Sequence, residues 1–277
     1  MKRHPLKTLG VWFAAAATVL VIIFPVWWIV LSSITPKEQL FQTPIRYFPS
    51  HPTLENYKNL FANVDVPRLI WDTVVVTAFS VTFSLIVCLL AAYGFGHARS
   101  KGIKAAYALL IGSSFLPMIS TILPMFELFS RLKLCDTYFV LILLYTNSFI
   151  PFTALILVSF MRQLPGSLEE AARVDGAGVM TVIFRILLPV MKPAVTTMAI
   201  INFILCINEF MTPLIFTTSK VSVLSVGITM IPRLNQYQVP WDSISALATI
   251  MLAPIVLFVC LFEKNILSGL MAGSVKQ

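Results

Sequence analysis

Six stretches of this chain run for about twenty residues each, the length that spans a bilayer, with almost no charge: roughly 11–31, 69–95, 105–126, 138–160, 190–216 and 244–262. A helix rises about 1.5 Å per residue, so each stretch matches a hydrocarbon layer roughly 30 Å thick. Lipid offers no partners for backbone N–H and C=O groups, and a helix satisfies its own. Composition agrees, since 58% of the 277 residues are apolar and only 12% charged, whereas soluble domains carry roughly a quarter charged residues. The expected fold is all-α: a polytopic membrane protein with about six transmembrane helices, forming one domain over residues 1–277. The first stretch is longer than the apolar region of a signal peptide, and Ser32-Ser33-Ile34-Thr35-Pro36 offers no small-x-small cleavage site, so it reads as a retained helix.

Charge orients the helices. The N-terminus and the connections near 97–104, 161–192 and 263–277 hold twelve Lys and Arg against four acids, Glu169, Glu170, Asp175 and Glu263. Elsewhere the charges balance, so the whole formal charge of +8 falls on one side. The positive-inside tendency makes that side the cytoplasm, with both termini there. The basic character thus follows from topology and calls for no nucleic-acid partner.

On the opposite side, residues 32–68 carry Thr35-Pro36, Thr43-Pro44 and Phe48-Pro49-Ser50-His51-Pro52-Thr53, which favour an extended, ordered crossing of the surface. A second outer loop, 217–243, is rich in Ser, Thr, Asn and Gln. Pro25, Pro117, Pro124, Pro151 and Pro254 fall inside the apolar stretches, where they kink or interrupt helices. Cys88, Cys135, Cys206 and Cys260 show no CxxC or metal-ligand spacing, and no metal site or disulfide framework is expected.

The segment between the fourth and fifth spans, 161–189, is too polar to enter the membrane and too well specified to be a linker. Ser167 and Glu170 have the spacing of a capping box, and Glu169 and Glu170 lie near the positive helix end. Glu169 can pair with Arg173 one turn on, and Gly176 is placed to end the helix in a left-handed conformation. Val179, Val182, Ile183, Ile186 and Leu187 then form one apolar face of a second helix, with Pro189 and Pro193 leading into the fifth span. A rigid helical hairpin of this kind projects into the cytoplasm to meet another protein.

Glu170-Ala171-Ala172, Gly176, Ile186 and Leu188-Pro189 stand at the spacings of the EAA signature, and here the chain resembles the permease subunits of bacterial ATP-binding cassette importers. Leu168-Glu169-Glu170-Ala171-Ala172-Arg173-Val174-Asp175-Gly176-Ala177 is similar to the extended motif of the carbohydrate-uptake branch. Pro52-Thr53-Leu54-Glu55-Asn56-Tyr57, Asn208-Glu209-Phe210 and Gly269–Lys276 resemble it too. The likeness is nearest the second permease of maltose-type and glycerol-phosphate-type systems. It implies import of a sugar or sugar-like solute by an assembly of this chain with a second homologous permease, two ATPase subunits and an extracytoplasmic solute-binding protein. It further implies that Glu169, Glu170, Ala171, Ala172, Asp175, Gly176, Ile186, Leu188 and Pro189 couple the chain to the ATPase.

The chain has no GxxxxGK[ST] loop, so no cofactor is expected on it, and ATP with magnesium belongs to the partner ATPase. The rival reading is a secondary transporter driven by an ion gradient, which would place acids near the bilayer midplane. Only Glu209, in the outer half of the fifth span, approaches that position. His4, His51 and His97 show no catalytic or HExxH spacing, and no enzymatic activity is expected. Candidate substrate-path residues are the polar groups within spans, Asn147, Asn202, Asn208 and Glu209, although interhelical hydrogen bonding is the plainer role for each of them.

Overall fold

The computed structural model describes residues 5–44, 46–233 and 239–274, and every regular element among them is helical. In order these are α1 (Pro5–Ser33), α2 (Glu55–Asn63), α3 (Val66–Gly96), α4 (Lys101–Ser113), α5 (Met118–Arg131) and α6 (Tyr138–Met161). They continue as α7 (Gly166–Val174), α8 (Val179–Thr181), α9 (Leu188–Asn208), α10 (Met211–Phe216), α11 (Leu224–Gly227) and α12 (Trp241–Ser274). Of the C-terminal motif, Val275 and Lys276 lie outside the described residues. Contacts divide the chain into two compact units, Met1–Val66 with Gly227–Pro254 and Pro67–Val226 with Ile255–Gln277.

Among the described residues, five unbroken helical runs are long and apolar enough to cross a membrane: Gly10–Ser33, Val66–Gly96, Tyr138–Met161, Val179–Asn208 and Trp241–Phe262. The third expected span, 105–126, differs, because it is split into α4 and α5. Ser113 and Ser114 turn their hydroxyls back to the carbonyls of Leu110 (2.7 Å) and Ile111 (2.6 Å), competing with the helical ladder. The N–H groups of Ser114, Phe115 and Leu116 reach back only three residues, and Pro117, extended at φ −62° and ψ 127°, brings no N–H at all. Pro117 therefore breaks its span, whereas Pro25, Pro124, Pro151 and Pro254 are carried inside helices. The fifth expected span likewise stops at Asn208, and α10 follows after Glu209-Phe210.

In the first unit α1 is exposed on every face from Gly10 to Val26, an arrangement that only an apolar solvent or a partner stabilises. The connection after it is less extended than expected, since it contains α2. Buried Asn56 caps the end of α1, its amide donating to the carbonyls of Ser33 (3.0 Å) and Thr35 (2.8 Å). The Tyr57 and Ser33 hydroxyls meet at 2.8 Å. Carbonyls that a helix end leaves without partners are thereby satisfied.

In the second unit α6 packs along α9, and two apolar cores flank them. One gathers Cys88, Ala92, Leu157, Met161, Ile183 and Met198; the other gathers Val76, Val140, Phe149, Cys206 and Phe216. The segment 217–226 is held by the side chains of Asp136, Asp72 and Arg68. Asp136, itself left-handed at φ +61°, accepts from the backbone N–H groups of Thr218 (3.0 Å), Ser219 (3.1 Å), Lys220 (3.0 Å) and Val221 (3.2 Å). Asp72 accepts from Tyr138 Oη (2.5 Å) and Ser222 N (2.8 Å), and Arg68 donates to the carbonyls of Ser219 (3.0 Å) and Lys220 (2.5 Å). Burial alone would raise the Asp136 carboxyl, but the four backbone donors outweigh it and bring it down to about 2.

Candidate functional site

The hairpin between α6 and α9 is built as its sequence dictates, with one change at its start. α7 begins at Gly166 with Pro165 in the capping position and makes no side-chain cap, so the expected Ser167 capping box is absent. Pro165 is extended, and the Leu168 N–H closes the first turn on its carbonyl at 3.2 Å. The other end follows expectation. Gly176 stands at φ +80°, its N–H bonds to Arg173 O (3.0 Å), and Ala177 N–H bonds to Ala172 O (2.9 Å). This is the Schellman arrangement, which needs a left-handed residue and therefore favours glycine.

The second arm merges with α9 into one helical run, Val179–Asn208. Between α8 and α9, residues Val182–Leu187 form a π-type turn in which Leu188 N–H reaches Ile183 O. Pro189 has no N–H to offer and crowds the carbonyl four residues back, and a wider turn absorbs both effects. Val182, Ile183 and Leu187 of the expected apolar face are buried, Ile186 and Leu188 are half-buried, and Val179 and Pro189 are exposed.

The hairpin residues divide by direction. Glu170, Ala171, Val174, Asp175 and Gly176 are exposed, Val174 to 87%. Ala172 instead joins the apolar core, and Glu169 is only 8% exposed. Glu169 Oε1 accepts from Tyr93 Oη (2.5 Å) and Arg173 Nη2 (2.6 Å), and its Oε2 lies 2.9 Å from His97 Nε2. Burial pushes the Glu169 carboxyl up, but the hydrogen bonds from Tyr93 and Arg173 and the charges of His97 and Arg173 hold it below the usual range. Sequence reasoning weighs His97 only as a catalytic group and does not single out Tyr93. Their signal was a polar pair at i, i+4 closing an apolar run.

A cavity of about 540 Å³ opens wholly within the second unit. Ser113, Ser114, Thr121, Asn147, Ser148 and Glu209 supply much of its polar lining. Three of the four substrate-path candidates, Asn147, Asn202 and Glu209, border it. Asn208 does not, and its amide turns back to Ile204 O at 2.8 Å. Asn202 is almost fully buried and bonds Thr153 (3.0 Å) and Ser84 (3.3 Å), which ties α9 to α6 and α3. Glu209 Oε1 accepts from Thr212 N (2.8 Å) and Oγ1 (3.0 Å), capping the break before α10. Asn147 and Ser148 are exposed and free of such internal duties among the hydrogen bonds described.

Comparison with known proteins agrees with this architecture. Residues 70–270 match the family described as binding-protein-dependent transport system inner membrane component. The chain is 31% identical to the sulfoquinovosyl glycerol transport system permease protein SmoH of Agrobacterium fabrum, over 95% of this chain and 93% of that protein. It is 30% identical to the trehalose/maltose transport system permease protein MalG of Thermococcus litoralis, over 100% and 99%. Its fold matches, with a TM-score of 0.80 at 18% identity, a chain of a bacterial ABC transporter involved in the import of the acidic polysaccharide alginate, over 95% of this chain and 98% of that one. On these matches and on its helical membrane architecture, the chain belongs to the family of inner membrane components of binding-protein-dependent transport systems, as an ABC transporter permease.

Proposed function

We propose that this chain is one of two homologous membrane subunits of an ATP-driven importer for a sugar or sugar-like solute. The observation that carries the reading is the exposed face of the hairpin, Glu170, Ala171, Val174, Asp175 and Gly176, offered on a helix whose other face is fixed into the membrane unit. That face suits a groove on an ATPase subunit. Glu170 supplies charge, Val174 supplies an apolar contact, and the left-handed turn at Gly176 sets the angle between the arms. Two such ATPases bind ATP with magnesium, and hydrolysis takes place there. The hairpin and both termini then lie in the cytoplasm, as the Lys/Arg asymmetry favours, and an extracytoplasmic binding protein delivers solute to the opposite side.

The polar lining of the cavity supports a polyhydroxylated solute, and Asn147 and Ser148 are the side chains best placed to meet it. Glu209 supports the gradient-driven alternative poorly, because its carboxylate is engaged in capping α10.

The test is uptake by the complex purified from native membranes through this chain and reconstituted in vesicles with its binding protein. Uptake that requires ATP and co-purified ATPase subunits is expected. Uptake that instead follows a proton or sodium gradient without ATP, and is lost in Glu209→Gln, would replace this reading with secondary transport.

A further inference from the structure

We propose that Glu169 is a positioning residue that latches α7 to the C-terminal end of α3, so that a displacement of the hairpin is carried into a membrane-spanning helix. The inference rests on the ATPase-docking reading above and adds the route by which docking reaches the bilayer.

Glu169 and Glu170 are neighbours in sequence, but successive helical residues point about 100° apart, and the two acids have different work. Glu170 is exposed; Glu169 is turned inward against α3. Its two oxygens meet three donors, from Tyr93, His97 and Arg173, at 2.5–2.9 Å. Arg173 Nη2 also reaches Tyr93 Oη at 3.2 Å, so α7 holds the tyrosine from two positions one turn apart. Just past the end of α3, His97 Nδ1 lies 2.8 Å from the Tyr93 carbonyl while Nε2 faces Glu169. Both ring nitrogens thus face acceptors. The Tyr93 and His97 rings lie 4.9 Å apart, which stiffens the last turn.

The end of α3 is itself tied to its neighbours. A Cβ on Gly96 would stand 2.6 Å from Met161 Cγ, so α3 and α6 approach there as closely as glycine allows. Arg162 Nη2 donates to Phe95 O at 3.4 Å, and its guanidinium lies 5.4 Å from the centre of the Tyr107 ring of α4. Motion delivered to Tyr93 therefore spreads to three membrane helices. The apolar seat of Ala172 also holds α7, but apolar contacts tolerate sliding, whereas a carboxylate with three donors fixes register.

The test uses the whole complex in vesicles, with solute taken up and ATP hydrolysed both measured. Glu169→Gln and Tyr93→Phe should each lower solute moved per ATP by about three- to tenfold, the scale of one lost hydrogen bond, with ATPase subunits retained in full. The double variant should be no worse than the worse single one, because both act on one latch. An unchanged ratio in all three, additive losses, or ATPase subunits shed by Glu169→Gln would overturn the latch. Tyr93→Phe removes one hydroxyl only, so it keeps the test open if the glutamate variant fails to assemble. Absence of ATP-driven uptake in the unaltered complex would instead overturn the docking reading, and the latch with it.

Discussion

Replacing Gly176 separates two reasons for a glycine at the hairpin turn. Its φ of +80° lies where L side chains are strained, yet an added Cβ would meet nothing within 4 Å. Within this chain the cost of Gly176→Ala is therefore conformational only, about 1–2 kcal/mol. If the ATPase selects the left-handed turn, that strain weakens docking by about five- to thirtyfold, at 1.4 kcal/mol per factor of ten. Asn tolerates the left-handed region, so Gly176→Asn should stay within about threefold of the parent. Gly176→Val, β-branched, should be the weakest of the series. The assay is the half-saturating concentration of ATPase subunit on membranes bearing each variant, with the chain's abundance in the membrane as control. Alanine binding as tightly as glycine would refute a conformational role. Asparagine binding as weakly as valine would show that the space above the turn, filled by the partner, is what glycine preserves.

Gly96→Ala pushes a Cβ into Met161 and should cost about 1–3 kcal/mol of stability, read as a lower melting temperature in detergent; adding Met161→Ala should do less harm than in the parent background. Asn202→Ala should cost about 0.6–2 kcal/mol through loss of its bonds to Thr153 and Ser84, and an unchanged melting temperature would deny the amide that structural role. For Asp136 the folded carboxyl is depressed, so its stabilisation is complete above the unfolded value near 3.8 and is lost as pH falls toward about 2. Melting temperatures of parent and Asp136→Asn should therefore differ by a constant amount at neutral pH and converge below about pH 4.

Lengths and apolar runs made the membrane helices readable, because the bilayer fixes both at once. The hairpin was readable for a different reason: Glu169, Arg173 and Gly176 act within one or two turns, so local spacing carries their geometry. The α4–α5 break was less plain, since Pro124 and Pro151 are tolerated inside helices while Pro117 is not. What decides is the pair of serines just before Pro117 bonding back into the ladder. The clasp of Asp72 and Asp136 on residues 218–222, and the contacts of Glu169 with Tyr93 and His97, span 72 to 150 positions of sequence, and no local pattern announces such contacts. Asn202 illustrates the remaining ambiguity: it borders the cavity and yet is consumed by packing, and only its neighbours distinguish the two.

The interruption at 114–117 has a mechanical meaning. A continuous helix resists bending because each added degree stretches bonds along its inner and outer walls. Here the upstream ladder has closed on itself by Leu116, the downstream one starts at Met118, and the residue between them has no hydrogen to give. A bend at that point would break none of the described ladder bonds, and Ser113, Ser114 and Leu116 beside it border the cavity. The two halves are joined there by the covalent chain, and no described ladder bond runs across Pro117 to make them one rod.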